Sequence, residues 1–286
     1  MSKIIACIDG SKAAISVCAA SAWAQQQLGA PLELLHVLEK RDYPAESDMS
    51  GNIGLGTREH LLEELAELDG KRSRLMLEQG RFMLAEARKQ VEEAGVPAEQ
   101  ISQLQRHDSL VDTLLEKEAD TRLLVMGRQG EAHDSASDAV GSHLENVTRT
   151  LQQPILVALD GFTPPKRFML AYDGSPTANK ALKLVAQSPL FKGIPCHLVM
   201  AGERVQRQRK QLANAKTMLE GAGFEVTTAD LEQEEVRSAL QGYIKEQQID
   251  MLVMGAWGHS RIRQFLLGSM THWMLQNTRV PLLLLR

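Results

Sequence analysis

The chain repeats itself, and that repeat bounds its fold more tightly than any other feature. Lys3-Ile-Ile-Ala-Cys-Ile-Asp-Gly-Ser11 returns as Arg167-Phe-Met-Leu-Ala-Tyr-Asp-Gly-Ser175, an offset of 164 residues. Leu124-Val-Met-Gly127 returns as Leu252-Val-Met-Gly255 at 128, and Pro154-Ile-Leu-Val as Pro281-Leu-Leu-Leu at 127. Three landmarks in one order make the second half a copy of the first, with 36 residues missing between the first two landmarks. The surplus in the first half is the polar stretch Glu39 to Thr57, EKRDYPAESDMSGNIGLGT, and a long helical pattern from about Leu61 to Ala94. The second half has only a short helix there, from about Arg204 to Gly221. Glycine and paired prolines in Asp160-Gly-Phe-Thr-Pro-Pro-Lys166 mark a boundary. The expected division is therefore 1–160, a linker at 161–166, and 167–286, which suits the 286 residues.

Each copy reads as five strands alternating with four helices. In the second copy the strands fall at about 167–172, 196–201, 224–229, 250–255 and 281–285. Short apolar runs without alternation suit parallel strands covered on both faces. Ser175 can cap the first helix of that copy, with Pro176 at the first helical position. Ala178, Ala181, Leu182, Val185 and Ala186 then share one helical face. The expected fold is α/β, two tandem doubly wound five-stranded parallel-sheet domains of Rossmann-like form.

The motif that carries chemistry follows the fourth strand of each copy. In the second copy Met254-Gly255-Ala-Trp-Gly258 precedes nine residues and then Gly268-Ser269, which opens a helix of about Met270 to Asn277. Glycines let a backbone turn tightly and approach a ligand with no Cβ in the way. Unpaired N–H groups at a helix start attract phosphate, and Ser269 adds a hydroxyl donor. Two glycines three apart are common. The full order of strand, Gly-x-x-Gly, nine residues, Gly-Ser, helix and proline-led strand is far more specific.

On these motifs the chain resembles the universal stress protein family over essentially its whole length, in the tandem two-domain form of the E type. The resemblance implies ATP, with adenine and ribose near the first strand and phosphates against the glycine loop; whether Mg²⁺ accompanies it is open. It implies ligand roles for Asp173 at the end of strand one and for Met254, Gly255, Gly258, Gly268, Ser269 and Met270. Arg261 and Arg263 lie inside the nine-residue segment and can screen phosphate charge, and His259 can donate to phosphate. The first copy departs from the pattern. Asp9, Met126, Gly127 and Gly130 keep their positions, but ten residues, EAHDSASDAV, precede Gly141-Ser142. They hold two aspartates, one glutamate and no Lys or Arg, and like charges at close range oppose phosphate. The N-terminal site is therefore expected to bind ATP weakly, to bind something else, or to stand empty, with the 39–57 insertion able to cover it. Family members pair the last strand across a two-domain interface. Pro154–Leu159 and Pro281–Leu285 are accordingly expected to pair within this chain, since an unpaired apolar edge is an aggregation hazard. Further homodimerisation is left open.

Plainer roles compete for several residues. Asp-Gly-Ser at a strand-to-helix turn is also ordinary turn chemistry. Trp257 can shield the loop, and His36 and His197 fall on second strands as core or edge residues. His107, His133 and His143 lack a metal-ligand spacing. Met76, Met83 and Met126 read as core fillers, and RSRLMLEQGRFMLAEARKQVEEAG as a solvated, ion-paired face. Cys7, Cys18 and Cys196 are too scattered for a disulfide framework, so buried free thiols are expected. A net charge of −4 gives no support to a nucleic-acid binder. No apolar run of about 18 residues appears and no signal-peptide pattern, so a cytoplasmic protein is the expectation. Neither Gly-x4-Gly-Lys-Ser/Thr nor a Gly-x-Gly-x-x-Gly after strand one is present. No nucleophile–base pair or carboxylate dyad stands near the loop. The leading function is a stress-response binding protein that captures ATP and alters its affinity for an unidentified protein partner. The competitors are an ATP-hydrolysing or nucleotidyl- or phosphoryl-transfer enzyme, and a scaffold holding a non-nucleotide ligand in the N-terminal domain.

Overall fold

The computed structural model describes residues 2–39, 55–129, 141–202, 206–231, 235–256 and 269–286. In the first copy β1 (Lys3–Cys7), β2 (Leu32–Val37), β3 (Ile101–Arg106), β4 (Thr121–Gly127) and β5 (Ile155–Ala158) alternate with α1 (Ala13–Leu28), α2 (Leu55–Glu93), α3 (Leu110–Glu116) and α4 (Ser142–Thr150). The second copy runs β6 (Phe168–Ala171), α5 (Pro176–Gln187), β7 (Cys196–Ala201), α6 (Gln206–Gly221), β8 (Val226–Leu231), α7 (Val236–Glu246), β9 (Met251–Gly255), α8 (Ser269–Asn277) and β10 (Leu282–Leu285).

All ten strands join one sheet, in the order β3-β2-β1-β4-β5-β10-β9-β6-β7-β8. Neighbours within each copy are parallel, and the expected pairing of the last strands closes the seam. β5 and β10 run antiparallel, with Val157 opposite Leu282, Leu156 opposite Leu283 and Ile155 opposite Leu284. Both faces of the sheet are covered. The apolar residues of α1, α2, α5 and α6 pack on one face and those of α3, α4, α7 and α8 on the other. That is why the strands read as unbroken apolar runs: Ile4, Ile5 and Ala6 are all fully buried.

Local chemistry explains where the elements start and stop. The Ser175 hydroxyl accepts from the Ala178 N–H at 3.1 Å, so α5 begins as the sequence predicts. α2 starts earlier than expected, at Leu55. β8 starts two residues later than the predicted 224, because Phe224 belongs to the end of α6. There Gly223 takes a left-handed φ of 90°, and the Phe224 N–H donates to the Leu219 carbonyl at 3.1 Å. Gly95 and Val96 close α2 in the same way, with Val96 N–H donating to Val91 at 3.0 Å.

Aromatic packing locks the halves beside the strand seam. Phe162 of the linker lies 5.9 Å from Trp23 of α1, and Trp23 lies 6.1 Å from Phe191 in the α5–β7 turn. Phe191 stacks on Phe168 of β6 at 4.2 Å. On the opposite face His272 of α8 stands 3.2 Å from Glu145 of α4. The Arg286 guanidinium donates to the carbonyls of Leu151 and Arg149.

Candidate functional site

Strand order reverses between β1 and β4 in the first copy and between β6 and β9 in the second. In doubly wound sheets a crevice opens at such a point, beyond the carboxyl ends of the strands. The sequence-predicted residues gather there. Ala171 pairs with Met254, so the Asp173 turn and Gly255 leave the sheet side by side, and α8 opens at Ser269. Ala6 pairs with Val125, which puts Asp9 and Gly127 in the matching place, with Gly141 and Ser142 at the start of α4. Gly130, Trp257, Gly258, His259, Arg261, Arg263 and Gly268, and residues 40–54 of the insertion, lie outside the described residues.

The two aspartates are held differently. Asp173 is exposed, and one of its carboxylate oxygens accepts from the Ser175 N–H at 2.9 Å. Its turn is braced by Asn179, whose amide donates to the carbonyls of Gly174 and Ser175 at 3.0 and 2.9 Å. The Tyr172 hydroxyl, 2.8 Å from the Asn179 amide oxygen, completes the brace. Burial and then the Asp173 charge push the Tyr172 phenol up, so it stays protonated and able to donate. Sequence reasoning passed over Tyr172 and Asn179; an asparagine one turn into an otherwise apolar-faced helix is the signal that could have found them. Asp9 is half-buried and accepts from both the backbone N–H and the hydroxyl of Ser11, at 3.1 and 2.5 Å. Ordinary turn bonding thus occupies an oxygen of each aspartate, and Asp173 is the more exposed of the two.

The first glycine of each loop has a packing reason. A Cβ on Gly127 would stand 2.6 Å from Ala13 Cβ, and one on Gly255 would stand 3.0 Å from the Thr177 methyl and 3.2 Å from the Thr177 backbone. Each strand end therefore lies directly against the first turn of α1 or α5. Met126 and Met254 are buried in the core beneath α4 and α8, which leaves their main chains as what they can offer a ligand. Met270 is half-buried and packs on the same core, while Ser142 and Ser269 are exposed at their helix starts.

The N-terminal loop is committed to the seam. The Arg128 guanidinium donates to the Thr278 carbonyl just beyond α8 at 2.9 Å. The Arg128 carbonyl accepts from the Gly141 N–H at 2.9 Å, which ties the loop's exit to its entry. Glu39, the first residue of the insertion, accepts from the Leu110 N–H at 3.2 Å and lies 3.4 Å from His143. His36 on β2 is buried, its Nδ1 2.8 Å from the Ile8 carbonyl, and a Cβ on Gly80 would stand 2.6 Å from its ring. Glycine at 80 thus lets α2 lie directly on β2. Of the thiols, Cys18 and Cys196 are buried as expected, whereas Cys7 is half-buried. Desolvation pushes all three up to about 12, helped at Cys7 by Asp9 and at Cys18 by Glu86. None of the three is a thiolate nucleophile at neutral pH. A cavity of about 220 Å³ lies at the other end of β4, lined by Leu28, Leu123, Leu184, Phe191 and Leu283. It is a gap in the apolar seam, away from the loops.

Such an arrangement is that of a tandem doubly wound α/β protein with one switch-point crevice per half. The universal stress protein family model matches residues 1–158 and 197–286. The chain is 33% identical over 290 residues to the universal stress protein Slr1230 of Synechocystis sp., with both proteins covered in full. A universal stress protein from Archaeoglobus fulgidus superposes with a TM-score of 0.72 at 18% identity, over 99% of this chain and 98% of that one. A functionally unknown protein, PA1789 from Pseudomonas aeruginosa, superposes with a TM-score of 0.56 at 15% identity, over 99% and 92%. The chain belongs to the universal stress protein family. Among the described residues no helix is long and apolar enough to cross a membrane.

Proposed function

We propose that this universal stress protein is an ATP-binding regulatory protein of the cytoplasm, with its main nucleotide site at the carboxyl ends of β6 and β9. One observation carries the reading: the exposed Asp173 carboxylate and Gly255 leave adjacent strands together, in front of the α8 N-terminus at Ser269. A carboxylate suits ribose hydroxyls, and a helix start suits phosphate. Met254, Gly258, His259, Arg261, Gly268 and Met270 complete the assignment by sequence. Binding rather than catalysis is favoured by the thiols held near 12 and by the absence of a nucleophile–base pair in the sequence motif. Mass spectrometry of small molecules released on denaturation, with calorimetric titration of ATP into wild type and Asp173→Ala, tests it. ATP at one per chain, bound at least about tenfold more weakly by the variant, is the expected result; about 1.4 kcal/mol corresponds to tenfold. Steady multiple turnover of ATP would sink the pure-binder reading.

A second ligand class is favoured for the N-terminal crevice. Arg128, which follows Gly127, donates to Thr278 across the seam, and its loop carries Glu131, Asp134 and Asp138. Two ATP per chain in the same measurement would contradict a non-nucleotide ligand or an empty site there.

A further inference from the structure

The seam cavity has a charged group in its wall, which a plain packing gap would not. Its volume is about 220 Å³, and it is open to solvent. Both halves build it: Leu28, Leu123 and Pro154 come from the first, Leu184, Phe191 and Leu285 from the second. An apolar cavity of about 150 Å³ stays dry and accepts benzene, so in proportion this one has room for about nine heavy atoms. Arg122 also lines it, and no other ionisable side chain does. A fault in the strand brings Arg122 there. Lys3 pairs with Thr121 but Ile4 with Leu123, so Arg122 is the extra residue of a bulge in β4. In a regular strand it would share the face of Leu124, on the side of α3 and α4. Instead its guanidinium reaches the end of α1, where Nη1 donates to the Leu28 carbonyl at 3.3 Å. Bulges recur beside functional sites because they re-aim a side chain in this way. The repeat does not demand the residue, since the second copy has Asp250 at that place.

We propose that this cavity binds a small amphipathic carboxylate, with its apolar body among the leucines and Phe191 and its carboxylate on the Arg122 guanidinium. Arg122 is half-buried, and the bond to Leu28 is its one hydrogen bond among the described residues. A guanidinium carries five N–H donors, so most of them are left for a ligand. Its planar fork matches the two oxygens of a carboxylate, and a single cation suits a monoanion. No carboxylate of the protein lines the cavity to compete for it. The Gln187 amide and the Ser188 hydroxyl add polar groups from the second half. Mostly apolar walls with a few polar groups are how small-molecule sites are made. Because the walls belong to both halves, the ligand also fastens the halves together.

Calorimetric titration of the full chain tests the proposal, with octanoate as the probe and octanol as its uncharged control. Wild type is expected to bind one octanoate per chain, and octanol at least about tenfold more weakly. Arg122→Gln should lower octanoate affinity at least about tenfold, with circular dichroism as the check on its fold. Leu184→Trp fills the cavity from a half-buried position and should abolish octanoate binding. Octanoate should raise the unfolding temperature of wild type but not of Leu184→Trp. Three results would overturn the proposal: no saturable binding of octanoate at millimolar concentration, equal affinity of wild type for octanoate and octanol, or binding that survives Leu184→Trp.

Discussion

Gly127→Ala separates what the loop glycine does for the fold from what it does for a ligand. The added methyl would stand 2.6 Å from Ala13 Cβ and 3.2 Å from the Gln129 carbonyl oxygen. Ala13 Cβ has no rotamer to escape through, so α1 or the end of β4 must shift. Overpacking of this kind costs about 1–3 kcal/mol. Gly127 is not at positive φ, so alanine regains about 0.4–1 kcal/mol through the unfolded chain. The net expectation is a loss of about 1–2 kcal/mol without any ligand, or a Tm lower by roughly 2–4 °C per kcal/mol. Ala13→Gly removes the opposing methyl and should relieve the strain in the double variant. Urea unfolding followed by circular dichroism, on all four proteins without nucleotide, gives the coupling energy. Effects that add within about 0.5 kcal/mol would refute the close-packing account. The glycine would then belong to the loop and its ligand alone.

Three further outcomes follow from other parts of the molecule. Gly268→Val should crowd the phosphate approach and lower ATP affinity at least about tenfold with the sheet intact, as read by calorimetry and circular dichroism. Glu33 is buried, which alone would raise its carboxyl, but a hydrogen bond from Lys3 at 2.6 Å and an ion pair with Lys117 at 2.9 Å outweigh that and hold it below the usual range. A depressed carboxyl stabilises the fold above its unfolded value of about 4.3 and loses that as pH falls through the folded value. Glu33→Gln should therefore cost about 3 kcal/mol at pH 7 and progressively less below about pH 4, in urea unfolding at each pH. Cys7, Cys18 and Cys196, each at about 12, should resist a thiol reagent at pH 8 until the chain is unfolded; rapid labelling of native Cys7 would contradict the account of its burial.

The repeat was legible because its landmarks are strand ends and turns, where few residue types serve. The pairing of β5 with β10 was expected from the family resemblance, and the apolar edges Ile155–Val157 and Leu282–Leu284, which need covering, supply its physical reason. What escaped depends on partners far along the chain. Nothing near Arg128 announces that its guanidinium meets a carbonyl 150 residues away. Phe162 sits in a stretch that reads as linker, yet it is buried against Trp23. Gly95 and Gly223 are a further landmark of the repeat, at the same offset of 128, and end their helices alike. Gly223 was missed because Phe224 read as the first residue of a strand.

The two crevices are joined by a short rigid path, and that path makes the asymmetry of the halves testable. α8 starts at Ser269 beside the C-terminal crevice and ends at Asn277, about 13 Å away along its axis. Thr278, the next residue, gives its carbonyl to Arg128, one residue past Gly127 of the other loop. A ligand that draws on the N–H groups at the start of α8 therefore acts on a helix whose far end holds the N-terminal loop. The matching positions of the second copy offer no such cation, since Ala256 follows Gly255. Arg128→Ala removes the N-terminal loop's hold on the far end of α8, where Gln241 still donates to the Asn277 carbonyl, and leaves Asp173, Gly255 and Ser269 untouched. It should cost about 1 kcal/mol of stability, the usual net worth of a hydrogen bond. If the loop and α8 are coupled, it should also change ATP affinity at the C-terminal site at least about fivefold, the lower end of ordinary coupling between sites. Calorimetric titration of the variant beside wild type reads this directly. Equal affinities with the stability loss intact would mean that Arg128 only fastens the two domains together.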